Sequence, residues 1–162
     1  MLGEMIGEES GKITGTRVLP PEGGVLKVES SMQATGTLVG VEVTNIATIW
    51  AVTRPDGTLY IDGQGVVMAK DGGTASFIGW GFGRLTASGG VSHRGAINCQ
   101  SASGSLARLN SMVITFEAEV DADQNIRWKF WEWTWPRKYR FEGQPVLQYL
   151  RRPAETHRPG WL

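Results

Sequence analysis

The residues from Arg127 to Trp135 form the part of the chain best suited to chemistry. Aromatic side chains occupy both faces of a strand at this spacing, with Trp128 and Phe130 on one face and Trp131, Trp133 and Trp135 on the other. Glu132 shares the face of Trp128 and Phe130. If that face points into an apolar interior, burial raises the pKa of Glu132 and makes it a candidate general acid or base. Alternatively, Glu132 forms an ion pair with an arginine such as Arg94, or reaches solvent at the end of the strand.

A second group of reactive side chains lies between Val91 and Ser101. His93 and Arg94 are adjacent and therefore point to opposite faces of a strand. The face of Arg94 is a polar row, which is typical of a solvated exterior, so His93 is expected to face inward as a packed imidazole. Arg94 is the polar partner that we assign to Glu132. Cys99 is expected to be a buried packing residue because no helix terminus or base lies beside it in sequence.

The strongest motifs of known enzyme classes are absent. There is no Gly-x-Ser-x-Gly, no phosphate-binding Gly-x-x-x-x-Gly-Lys-Ser/Thr and no His-Glu-x-x-His. With one cysteine and two histidines, we expect no disulfide, no metal and no cofactor. The 162 residues carry 16 basic and 16 acidic side chains and contain no long apolar run. We therefore expect neither nucleic acid nor membrane as a partner, and a cytoplasmic location.

Strand-like segments separated by turn motifs must position these side chains. The first 135 residues contain eight runs rich in Val, Ile, Thr and aromatic residues, none with helical periodicity. They span Lys12 to Leu19, Val25 to Thr35, Leu38 to Arg54, Thr58 to Lys70, Thr74 to Ala87, Val91 to Ser101, Ser111 to Asp121 and Ile126 to Trp135. Long strands with tight connections predict an all-β protein, a closed eight-stranded antiparallel up-and-down β-barrel. The third run is too long to be regular, which indicates a bulge near Asn45 or a bend at Gly36 and Gly40.

Glycines repeat along two neighbouring strands of this predicted barrel. Gly79, Gly81 and Gly83 share one strand face, and Gly63 and Gly65 repeat the spacing in the strand before. Two interpretations are open. The glycines permit sharp curvature or make room for a neighbouring aromatic ring, or their missing side chains hollow out a ligand cavity.

The chain divides into three segments of different composition. Residues 1–10 form an N-terminal segment, 11–135 the barrel domain and 136–162 a basic C-terminal extension. The net charge is −4 over residues 1–135 and +4 over 136–162. The extension is predicted to contain a short helix from Gln144 to Arg152 and to act as a flap or a subunit contact.

Short glycine-centred motifs are spread over the predicted barrel. They are Gly15-Thr16-Arg17-Val18-Leu19, Glu29-Ser30-Ser31, Gly36-Thr37-Leu38-Val39-Gly40, Asp56-Gly57-Thr58-Leu59-Tyr60, Gly63-Gln64-Gly65, Arg94-Gly95-Ala96, Leu109-Asn110 and Trp131-Glu132-Trp133. As a set they resemble a family of uncharacterised bacterial proteins that is similar to the allene oxide cyclase-like barrels. The resemblance implies a closed eight-stranded barrel, dimeric or trimeric, with a mostly apolar lumen, in a group that includes isomerases and cyclases. It transfers no catalytic residue to this chain.

The sequence thus leads to two hypotheses of different kinds. In the first, the barrel binds an apolar or aromatic small molecule. Its extended form is an enzyme that catalyses an isomerisation or cyclisation by shaping its substrate. Glu132 and Arg94 are the catalytic candidates, and the wall candidates are Trp50, Tyr60, Trp80, Trp128 and Phe130. In the second, a filled barrel serves without catalysis as an oligomerisation or interaction module. A homo-oligomer is expected in either case.

Overall fold

The computed structural model describes residues 3–102 and 104–134, and these form a closed antiparallel barrel. Its strands are β1 (Met5–Glu22), β2 (Val25–Leu38), β3 (Val41–Thr53), β4 (Leu59–Ala69), β5 (Thr74–Leu85), β6 (Val91–Ser101), β7 (Ile114–Val120) and β8 (Asn125–Glu132). Each strand pairs with the next, and β8 pairs with β1. The predicted up-and-down topology is confirmed. A short 3-10 helix, η1 (Ala107–Ser111), precedes β7.

Several strand boundaries differ from the sequence prediction, and two of the differences affect the architecture. β1 begins at Met5, so most of the segment predicted to precede the barrel is part of its wall, and Met5 to Lys12 pair with β8. The long third run is divided by a turn at Val39 and Gly40, both of which have positive φ. The pairing of β3 with β2 and β4 is continuous at Asn45, so the predicted bulge is absent. Of the two glycines predicted to bend the chain, Gly40 lies in the turn, whereas Gly36 is paired regularly within β2.

The core fills the lumen from alternate positions of every strand. On β7, Ile114, Phe116 and Ala118 are buried, as their alternation with polar residues predicts. The part of β1 that follows Lys12 extends beyond the end of β8 and pairs with β2 alone.

One end of the barrel is closed by the connection between β6 and β7. We call this the capped end; the first residues of β1 and the last of β8 also lie there. Leu106 and Leu109 on this connection are fully buried, and each contributes roughly 1.5–3 kcal/mol of burial free energy. Asn110 fixes the connection by accepting a hydrogen bond from Ser101 N at 2.7 Å and donating one to Ser101 O at 2.8 Å.

The strand glycines mainly make room for aromatic rings and close strand approach. A Cβ at Gly65 would lie 2.6 Å from the Phe77 ring, and one at Gly95 would lie 2.7 Å from the Phe116 ring. Of the glycines singled out in the sequence, Gly65 therefore makes room for a neighbouring aromatic ring, as the first interpretation predicts. Gly63 and Gly79, which pair across β4 and β5, instead border a small cavity.

The C-terminal extension, 136–162, and its predicted helix lie outside the described residues. Trp135 also lies outside them.

Candidate functional site

A row of inward-facing side chains crosses four neighbouring strands at the middle of the lumen. Glu9 on β1 lies opposite Trp128 on β8, Trp128 lies opposite Ala118 on β7, and Ala118 lies opposite His93 on β6. Directly opposed residues have Cβ atoms only ~5 Å apart. We call Glu9, Asn45, His93 and Trp128 the lumen polar set, because each is buried and each has a polar atom without a protein partner among the described residues.

Glu9 is a carboxyl group in an apolar interior, with 4% of the residue exposed. Its Oε2 accepts a hydrogen bond from Asn45 Nδ2 at 2.8 Å. Glu9 Oε1 and Asn45 Oδ1 have no protein partner among the described residues. Burial raises the pKa of Glu9 to about 7, and the hydrogen bond from Asn45 partly opposes this shift. Near neutral pH the group can therefore donate or accept a proton.

His93 is the second titratable group of the lumen polar set. It faces inward, as predicted, and its ring meets the edge of Phe116 with centroids 5.5 Å apart. Burial is the main cause that lowers the pKa of His93 to about 4, with Arg94 adding to the shift and Glu119 opposing it. The imidazole is therefore neutral at pH 7, and its Nδ1 has no protein partner within the described residues.

Trp128 lies between the two titratable groups. It is opposite Glu9 in the strand register, and its ring packs on Phe116, which in turn contacts His93. Its ring lies 5.9 Å from Phe116 and meets Phe130 edge to face at 5.5 Å. The indole N–H is buried and donates to no described protein group. A buried donor without an acceptor costs roughly 1–3 kcal/mol, so this site favours occupation by a water molecule or a polar group of a ligand.

A cavity of about 30 Å³ adjoins this row. It is lined mainly by apolar side chains, among them Ile61, Phe77, Ile97 and Phe116, and it also contacts His93 and Trp128. This volume holds about one or two water molecules. Buried hydrophobic side chains from all eight strands form one core cluster in the lumen.

Glu132 faces inward like Trp128 and Phe130 but lies at the capped end rather than in the middle of the lumen. Its side chain is 25% exposed, and Arg108 Nη2 lies 3.2 Å from its Oε2. Glu132 is therefore not a carboxyl group in an apolar interior. It forms an ion pair at the end of the barrel, which was the alternative interpretation. The partner is Arg108 on η1, and not Arg94.

Arg94 lies on the outer surface, on the opposite face from His93. It forms ion pairs with Glu117 and Glu119 of β7, each at 3.2 Å. The structure therefore does not bring Arg94 and Glu132 together, because one is outside the wall and the other closes its end. Cys99 is buried, as predicted, and burial is the main cause that raises the pKa of its thiol to about 11.

The five aromatic wall candidates divide between the two sides of the barrel. Trp128 and Phe130 line the lumen. Trp50 and Tyr60 lie on outward-facing positions, and the Trp50 indole donates a hydrogen bond to Glu29 at 2.9 Å. Trp80 is 55% exposed on the outer surface, although it also borders the cavity beside Gly79.

Sequence reasoning missed Glu9 and Asn45. The signal for Asn45 is its place in the apolar alternation Val41, Val43, Asn45, Ala47. The acidic start of the chain concealed Glu9, although Gly7, Glu9 and Gly11 alternate with polar residues as in a wall strand.

Several solved structures are similar to this chain in fold. A protein of unknown function from Clostridium acetobutylicum has a TM-score of 0.70 and 10% identity, with 80% of this chain and 94% of that chain covered. A β-barrel-like protein from Acinetobacter baumannii has a TM-score of 0.70 and 11% identity, with coverages of 82% and 94%. An enzyme from Penicillium herquei has a TM-score of 0.55 and 13% identity, with coverages of 82% and 96%.

At these identities the likeness establishes the barrel fold, which uncharacterised bacterial proteins share. The closer tie to allene oxide cyclase-like barrels stays a prediction. No protein-family model matches the sequence, and no curated protein matches it significantly. Within the described ranges, no helix has the length and apolar character needed to cross a membrane, and no cluster of three or more His, Cys, Asp or Glu residues is arranged to hold a metal ion.

Proposed function

We propose that the protein binds a small neutral molecule, apolar or aromatic in its body, within the lumen. The observation that carries this proposal is the lumen polar set, with four buried polar atoms that lack protein partners among the described residues. The surrounding side chains are apolar and the buried His93 is neutral, so an anionic ligand would lose its hydration without compensation. A neutral molecule with one hydrogen-bonding group fits both properties.

The size of the cavity sets a condition on this binding. Pockets for drug-sized ligands measure about 300–1,000 Å³, whereas the cavity here is about 30 Å³. An aromatic ligand therefore requires Phe77 or Phe116 to change rotamer, since both rings border the cavity. Both now rest against wall glycines, at Gly65 and Gly95.

Catalysis is a natural extension of the same site. A carboxyl group with a pKa near 7, such as Glu9, can protonate one atom of a bound molecule and take a proton from another, which leaves the enzyme unchanged after an isomerisation or cyclisation. In this role Glu9 replaces Glu132 as the general acid–base candidate. The Penicillium herquei neighbour, which is described as an enzyme, supports this extension by fold analogy alone.

A titration with phenol, followed by NMR of the tryptophan indole N–H groups, tests the binding proposal. We expect a saturable shift of the Trp128 resonance, weakened in His93→Leu and retained in Trp50→Ala, because Trp50 faces outward and does not border the cavity. No shift at about 10 mM phenol, which bounds the affinity to weaker than about −3 kcal/mol, would contradict the proposal. Mass spectrometry of material that co-purifies with the protein would identify the natural ligand.

The nearly filled lumen favours a second candidate, an interaction module without catalysis. Exposed apolar residues on the outer surface of β3 to β5 would then form a subunit contact in a dimer or trimer. Light scattering on the wild type and on Ile78→Glu tests this candidate. An oligomer that dissociates on substitution supports it, and a monomeric wild type contradicts it.

A further inference from the structure

An apolar groove runs along the outer face of the wall between β3 and β6. Its floor contains Ile46, Val66, Met68 and Ile78, all of them exposed, with Ile78 65% exposed. Gln64, Asn98 and Gln100 supply polar groups at its margins, and the groove has a volume of about 730 Å³. Exposed apolar surface of this kind marks a contact site for another segment or chain.

An acidic position flanked by tryptophans lies beside this groove. Asp62 pairs in the β4 register with Trp50 on one side and Trp80 on the other. In the described part of the chain, no cationic side chain forms an ion pair with Asp62. A guanidinium group can pair with a carboxylate and also stack on aromatic faces. The chemistry beside the groove therefore suits arginine.

The C-terminal extension carries the matching residues. Its segment 144–152 contains Val146, Leu147 and Leu150, which helical spacing would place on one side, followed by Arg151 and Arg152. The charges are complementary at the larger scale as well, with −4 over residues 1–135 and +4 over 136–162.

The connecting chain is long enough for the segment to reach the groove. The last described residue, Thr134, follows β8 at the capped end, and Met68 and Ser76 place one end of the groove in the same half of the barrel. Four strand spacings separate β8 from β4, which is about 20 Å of wall. The nine residues 135–143 can span about 30 Å when extended.

We propose that residues 144–152 of the same chain dock in the outer groove. Val146, Leu147 and Leu150 cover Ile46, Val66 and Ile78, and the two arginines reach Asp62 and its flanking tryptophans.

Disulfide formation between two introduced cysteines tests this contact. Ile78→Cys combined with Leu147→Cys places one thiol in the groove and the other in the segment 144–152. Met5→Cys combined with Leu147→Cys is the control, because Met5 is exposed on β1 and pairs with Trp131 of β8, close to the point where the chain leaves the barrel. The native Cys99 is buried and its pKa is about 11, so it does not compete.

We expect an intramolecular disulfide to form about tenfold faster in the groove pair than in the control, because docking raises the effective concentration of the two thiols. Adding Arg151→Glu and Arg152→Glu should remove most of this difference. Equal rates in the two pairs would overturn the proposal. Disulfide-linked dimers would also overturn it and would assign the groove to a second copy. None of these outcomes depends on phenol binding in the lumen.

Discussion

The middle of the lumen and its capped end each hold an inward-facing glutamate, and the two have different environments. Among the described residues, Glu9 accepts one hydrogen bond and forms no ion pair; it is 4% exposed, and burial raises its pKa to about 7. Glu132 reaches the barrel end, where Arg108 pairs with it and solvent has access. An inward position in a barrel strand is therefore not sufficient to bury a carboxyl group. Depth along the lumen and the nearest cation decide the outcome.

The largest expected effect comes from emptying the middle of the lumen. Trp128→Ala removes a buried ring that packs on Phe116 and Phe130, and we expect it to lower the free energy of unfolding by about 3–5 kcal/mol. Trp80→Ala, on the outer surface, is the matched control and should cost far less. Urea denaturation measures both values. Equal losses in the two variants would show that the lumen packs no more tightly than the surface.

A smaller and more specific effect is expected from pH, because Glu9 and His93 have opposite linkage. The pKa of Glu9 is raised from 4.5 to about 7, so its folded state holds more protons than its unfolded state, and stability is lost as pH rises from 4.5 to 7. The pKa of His93 is lowered from 6.5 to about 4, so stability is lost as pH falls from 6.5 to 4. Each contribution amounts to about 3 kcal/mol.

Single substitutions separate these two opposing contributions. In Glu9→Gln, stability should rise by about 3 kcal/mol between pH 4 and 6.5, because only His93 remains. In His93→Leu, stability should fall by a similar amount between pH 4.5 and 7. The wild type should change less than either variant. Denaturation midpoints across this pH range provide the measurement, and a Glu9→Gln profile that matches the wild type would contradict the assignment of Glu9.

The smallest effect is expected at the capped end. Glu132→Gln breaks a partly exposed ion pair with Arg108, and such pairs contribute about 0–1 kcal/mol. We expect a change in unfolding free energy within that range and unchanged phenol binding. A loss of several kcal/mol, or loss of phenol binding, would give Glu132 the role assigned here to Glu9. Arg108→Gln is the reciprocal variant and should behave in the same way.

Local patterns predicted the strands well and the site poorly. The alternation of Ile114, Phe116 and Ala118 predicted a half-buried strand, and the structure confirms it. The same rule placed Glu132 correctly on the face of Trp128. It could not identify Arg108 as the partner, because the two residues are 24 positions apart and meet only when η1 covers the barrel end.

The two-residue period assigns side chains to two faces but does not say which face is inside. Trp50 and Trp80 are of the residue type expected to line a ligand-binding lumen, yet both face outward. The inward positions of β3 and β5 are occupied by Asn45, Ala47 and Phe77. For these tryptophans the choice depends on how neighbouring strands pair. It therefore depends on contacts that no single strand contains.

The sequence by itself determined the fold class, the number of strands and the inward direction of His93, because turn residues and alternating polarity are local properties of the backbone. The tertiary structure alone decided that Glu9 is the buried carboxyl group and that Glu132 is not. Desolvation depends on the surrounding volume of protein, and closure of β1 onto β8 buries Glu9 beside Trp128. The chemistry of a residue in this barrel follows from its distance to solvent, which only the closed wall defines.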